Sequence, residues 1–148
     1  MQIAYNIKKK GDIMNFILIE EFLKQNKEVQ EVFMEWWKPQ IGDLVYDRIS
    51  IVGVVVPVLC MGQYRTNLDK TKVTPLLQIN QLIRFIEDKT ECKIEIDYYT
   101  EEVSIYLNSL DNDGISHYKY SPFENFGLDL LKALWKIACI IALEQHKH

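Results

Sequence analysis

The sequence predicts an α+β fold: a three-stranded antiparallel meander packed between helices, with an extra N-terminal helix and β segment ahead of it. Three observations carry that expectation. Short runs of period-two alternation, separated by tight turns, lie between residues 93 and 120. Apolar residues at helical spacing precede them at 81–89 and follow them at 124–144. The chain has 148 residues, 48 % hydrophobic and 26 % charged, a size and balance suited to one core and unlike a disordered or low-complexity chain.

Residues 1–13 read as a flexible arm ahead of a single domain over 14–148. No apolar stretch followed by a small-residue cleavage site opens the chain, so no signal peptide is expected. Lys8-Lys9-Lys10 solvates this arm, and Met14 offers a second start. Asn15 is an N-cap candidate. After it Phe16, Ile19, Phe22 and Leu23 recur at i, i+3, i+6 and i+7, with Glu20, Glu21 and Lys24 between, which predicts an amphipathic helix ended by Asn26. A second helix over 28–37 gathers Val29, Val32, Phe33, Trp36 and Trp37 near one stripe, and Pro39 stops it.

Gly42-Asp43 reads as a turn into Leu44-Val45-Tyr46. Residues 49–61 are rich in Val and Ile, as in a strand covered on both faces. Pro57 has no N–H for a ladder bond, so this segment must be an edge strand, hold a bulge or break in two. Residues 62–74 are polar and loop-like.

Asn80 is a candidate N-cap for a helix over 81–89 that buries Leu82, Ile83, Phe85 and Ile86. The meander follows. Ile94, Ile96 and Tyr98 share one face of the first strand, and Val103, Ile105 and Leu107 line the second. Asp111-Asn112-Asp113-Gly114 turns into a third strand with Ile115, His117 and Lys119. Ser121 and Pro122 suit an N-cap and first helical position, so the last helix is expected from 123 or 124 to 144. Its core is apolar almost all round apart from Asp129, Lys132 and Lys136. Such a helix needs cover on most sides, from the sheet, the N-terminal helices or a second subunit, and a homodimer is predicted. Its lysines interrupt any membrane span.

The formal net charge is -4 and unevenly spread: residues 1–78 carry ten Lys/Arg against nine Asp/Glu, and residues 79–148 seven against twelve. Without a basic face, nucleic-acid binding is not expected. An acidic half fits a protein-binding surface, a mimic of nucleic acid, or an ordinary acidic surface. Cys60, Cys92 and Cys139 are odd in number, form no CxxC and sit among apolar neighbours, which predicts buried, reduced thiols in a cytoplasmic protein.

Two segments carry a resemblance. Thr74-Pro75-Leu76-Leu77-Gln78-Ile79-Asn80-Gln81-Leu82 is similar to a helix start found in small uncharacterised prophage proteins of Gram-positive bacteria. The order of a helix, three antiparallel strands and a long apolar helix over 80–145 resembles the phage ABA-sandwich domain. Trp37-Lys38-Pro39-Gln40-Ile41-Gly42-Asp43-Leu44-Val45 also looks like the front part of such proteins. The resemblance implies a phage or prophage accessory protein in a bacterial cytoplasm. It implies no catalytic residues.

The chain contains no P-loop, GxSxG, HExxH or paired CxxC motif. No catalytic residue, metal or cofactor is predicted. Trp36 and Trp37 point about 100° apart on a helix, so one of them can serve as a binding anchor while both can equally cover core. Tyr64 and Arg65 offer an aromatic ring and a guanidinium of the kind that holds a nucleotide, or form a solvated loop. His117 lies on the third strand beside Tyr118 and Tyr120, as a half-buried polar neighbour or with a ligand-binding or general-base role, and Tyr120 is a further binding candidate. Tyr98 and Tyr99 split one ring inward and one outward. Asp111-Asn112-Asp113-Gly114 matches the opening of a calcium loop, but the closing Glu would fall on Pro122.

The leading expectation is a non-enzymatic protein that binds and modulates a host protein, such as a defence component. The alternative, from a different class, is a protein that sequesters a small nucleotide signal with Tyr64 and Arg65.

Overall fold

The computed structural model describes residues 16–40, 43–47, 57–59, 73–118, 120 and 122–147. The predicted arm, most of the Val-rich segment, and Tyr64, Arg65 and Cys60 lie outside them. The chain divides into two compact units, one up to Leu77 and one from Gln78.

In the first unit, α1 (Ile19–Leu23) starts later than the apolar spacing suggests. The Ile17 N–H donates to the Leu77 carbonyl at 2.8 Å, and this pairing holds the residues before α1 extended. Phe16 enters a buried cluster with Ile19 and Leu76 instead of a helical turn. α2 (Lys27–Trp36) follows, with Asn26 as its N-cap residue. The Phe22 and Phe33 rings meet with centroids 6.1 Å apart. The Gln30 side-chain amide donates to the carbonyls of Gln25 and Leu23, supplying partners at the end of α1 where helical ones run out.

Strands β1 (Leu44–Asp47), β2 (Pro57–Leu59) and β3 (Val73–Pro75) form an antiparallel sheet in the order β2-β1-β3. Alternation along β1 explains its central place. Leu44 and Tyr46 pack on the Phe16–Ile19–Leu76 cluster, and Val45 joins Trp37 and Val73 in another. Pro57 opens an edge strand, one of the positions its missing N–H allows.

The second unit opens with α3 (Ile79–Thr90), whose N-cap residue is Gln78. The Gln81 side-chain oxygen accepts the Gln78 backbone N–H at 2.9 Å. This bond places the start ahead of Asn80, where the cap was expected. Glu91, at φ 57°, ends the helix. Cys92 is buried and Cys139 half-buried, both as free thiols.

The meander consists of β4 (Lys93–Tyr98), β5 (Val103–Leu110) and β6 (Ser116–Tyr118), ordered β4-β5-β6 and antiparallel. Ile94 faces Leu107 and Ile96 faces Ile105, giving the sheet its apolar side. The turn from β5 to β6 is where the sequence places it. Asp111 Oδ1 accepts the N–H groups of Asp113 and Ile115, and Gly114 takes a φ of 77°, which suits glycine.

α4 (Leu130–His146) corrects the expected start at 123 or 124. Phe123 instead exchanges both backbone hydrogen bonds with Ile105, extending the row begun by β6, and Val103 N–H donates to the Gly127 carbonyl. Asn125 and Gly127 adopt φ of 67° and 71°, which no right-handed helix tolerates. Asp129 then caps α4 by accepting the Lys132 N–H. α4 and α3 contribute most of the buried residues of this unit, among them Leu82, Phe85, Leu134, Ile137 and Ile141. The α+β class and the meander packed with helices are as the sequence predicts.

Candidate functional site: the tyrosine face of the meander

Pairing register places Lys93, Glu95 and Asp97 along one row of the outer sheet face, and Tyr99, just past the end of β4, reaches that face by hydrogen bonding with Tyr106. Ser104, Tyr106, Asn108 and Leu110 form the middle row, and Ser116, Tyr118 and Glu124 the third. Ser104 is buried, but most of this face is exposed. The opposite face carries the buried Val103, Ile105 and Leu107.

Three tyrosines run diagonally across the outer face. Tyr106 and Tyr118 meet with ring centroids 5.4 Å apart and planes tilted by 41°. Tyr99 lies on the other side of Tyr106. Hydrogen bonding with Tyr99, then burial, then the negative charges of Asp97 and Glu124 push the Tyr106 phenol up to about 12. Each of these favours the neutral hydroxyl. Tyr99 and Tyr118 are 53 % and 58 % exposed.

A polar chain crosses the same three strands. Asn108 donates to Glu95 Oε1 at 2.9 Å, and the Ser116 hydroxyl donates to Asn108 Oδ1. These bonds fix the Glu95 carboxylate to the middle strand through one of its oxygens. Lys93, at the far end of the first row, lies 3.7 Å from Glu87 of α3. The tyrosines are therefore bordered by Glu95, Asp97 and Glu124.

The residues expected from sequence to form sites are dispersed. Trp37 is a core residue and not a surface anchor: it is 1 % exposed, and its indole N–H donates to Asp43 Oδ2 at 2.9 Å. Trp36 is half-buried against the same cluster. Tyr64 and Arg65 are outside the described residues. His117 is exposed and finds an acid the sequence did not identify, with Nε2 2.9 Å from Asp111 Oδ2. Together with two backbone N–H groups, His117 holds the Asp111 carboxyl below its usual value. That pair clasps the β5–β6 turn. Tyr120 is half-buried, donates to Glu144 Oε2 at 3.2 Å and packs on Phe123. Burial first, and then Glu144, raises its phenol.

Tyr98 and Tyr99 do not split into one buried and one exposed ring. Tyr98 has the parity of the apolar face but stands at the strand end, and both are exposed. The tyrosine face was missed because its members come from two strands and the turn after a third. The parity of Glu95, Asp97 and Tyr99 against Tyr106 and Tyr118 is the signal that could have revealed it.

Beside Tyr99 a shallow, open depression of about 600 Å³ is lined by Thr100, Glu101, Glu102, Asn125 and Gly127. Glu102 is already engaged by the Asn125 N–H at 3.0 Å. Among the described residues no group of His, Cys, Asp and Glu is placed to hold a metal ion, and no helix is long and apolar enough to cross a membrane. Comparison of the chain with family models, curated proteins and solved structures finds no match.

Proposed function

We propose that this chain is a non-enzymatic binding protein that docks a protein partner on the outer face of the β4–β5–β6 meander. The observation that carries this reading is the row Tyr99–Tyr106–Tyr118, exposed at both ends and joined through its middle ring. Tyrosine supplies large contact area at low conformational cost and one polar atom for pairing, which is why interfaces favour it. The resemblance to prophage proteins adds a context: the partner is a host protein whose activity the chain modulates.

The edge of the sheet is a poorer docking site than its face. β4 is an edge strand, and Lys93, Glu95 and Asp97 along it oppose the addition of another strand.

The test replaces Tyr118 with a photo-crosslinking phenylalanine analogue in the cell that makes the protein, with Lys132 of α4 replaced in parallel. A discrete adduct from position 118, absent from position 132 and lost in the Tyr99→Ser background, supports the reading. Equal adducts from both positions, or none from position 118, overturn it.

A further inference from the structure

We infer that the segment received by the tyrosine face is basic and rich in arginine. This rests on the docking face proposed above and adds the chemistry of its occupant.

The argument is one of complementarity. Glu95, Asp97 and Glu124 border the tyrosines, and Asp97 and Glu124 lie close enough to raise the Tyr106 phenol. The unit is acidic as a whole, with seven Lys/Arg against twelve Asp/Glu over residues 79–148. A neutral aromatic ring presents a negative face to a cation. Tyr106 is a neutral phenol throughout the physiological range, as an ordinary tyrosine is, and its surroundings favour that form further. Rings and carboxylates on one surface suit a guanidinium, which stacks on the first and forms paired hydrogen bonds with the second. An ammonium is also drawn to rings and carboxylates, but it lacks the planar fork that stacks and pairs at once.

The same charges disfavour other occupants. A second copy presenting this face would set Glu95, Asp97 and Glu124 against their own equivalents, and like charges brought together across an interface are costly. A nucleic acid would meet the same repulsion from its phosphates.

The experiment titrates ¹⁵N-labelled protein with a short synthetic peptide alternating Arg and Gly, and with the same peptide carrying Glu for Arg. Shifts confined to Glu95, Asp97, Tyr99, Tyr106 and Tyr118, weakening as salt rises, are expected from the Arg peptide alone. Asp97→Lys should weaken binding about tenfold, and Tyr118→Ser about threefold. Lys132→Glu should not weaken it. Circular dichroism of each variant shows that its fold is kept. Binding unchanged by Asp97→Lys, shifts elsewhere on the molecule, or equal binding of the Glu peptide would overturn the inference.

The crosslink at position 118 separates this inference from the reading beneath it. An adduct on a partner segment without arginine leaves the docking face standing and removes the basic occupant. An adduct on a second copy of this chain removes both.

Discussion

The Trp37 indole N–H donates to Asp43 Oδ2 at 2.9 Å, and the same carboxylate oxygen accepts the Gln40 N–H at 3.0 Å. One acid thus satisfies a buried ring and ties the chain leaving α2 to the approach to β1. Asp43→Ala leaves the indole N–H without that acceptor, which should cost about 1–3 kcal/mol. Denaturant unfolding followed by tryptophan fluorescence measures this. A loss below a few tenths of a kcal/mol would mean that water replaces the carboxylate.

Tyr106 offers a prediction with a definite sign. Its phenol is pushed from 10.0 to about 12, chiefly by hydrogen bonding with Tyr99. The native state therefore favours the neutral phenol. The linked stability is fully present below the ordinary value and is lost as pH rises from 10 through about 12. Tyr99→Phe should lower the Tyr106 titration toward 10, read by the ring-carbon chemical shift. An unchanged titration would assign the shift to burial and the nearby carboxylates.

Asp111 predicts behaviour at the acid end. His117 first, then the Ile115 N–H, hold its carboxyl below 3.8. A lowered carboxyl adds stability above its ordinary value and loses it as pH falls through the lowered one. His117→Ala should raise the Asp111 titration toward 3.8. It should also speed amide exchange at Ile115, whose N–H is held by Asp111 Oδ1 at 2.8 Å. Unchanged titration and exchange would show that the backbone donors alone hold the turn.

Within α4, Leu134→Ala should cost about 2–5 kcal/mol, because the side chain is fully buried and its removal leaves a cavity. Leu143→Ala, on the exposed side of the same helix, should cost well under 1 kcal/mol in the monomer. Thermal unfolding of the two variants checks the contrast. A large loss for Leu143→Ala that grows with protein concentration would indicate a second subunit on that face.

The sequence by itself determined the four helices, the meander and its tight turn, because helical spacing, alternation and turn chemistry are local. It read Val73 and Thr74 as loop, whereas they pair with Asp47 and Tyr46 as strand β3, a non-local contact that three residues cannot signal. It left Pro57 open between an edge strand, a bulge and a break, and the order β2-β1-β3 decides for the edge. It misplaced the starts of α1, α3 and α4. At each, a tertiary or capping bond outweighed the local signal: Ile17 to Leu77, Gln78 to Gln81, and Phe123 to Ile105. Of the expected site residues, Trp37 is the clearest case of what only the tertiary structure decided. A helical stripe cannot distinguish an anchor from a core ring, and burial against Val45 and Val73 makes it core. The tyrosine face depends on tertiary structure for the same reason. Tyr99, Tyr106 and Tyr118 are unremarkable singly, and only the folded meander, with Tyr99 just past the end of β4, sets them beside one another and beside Asp97.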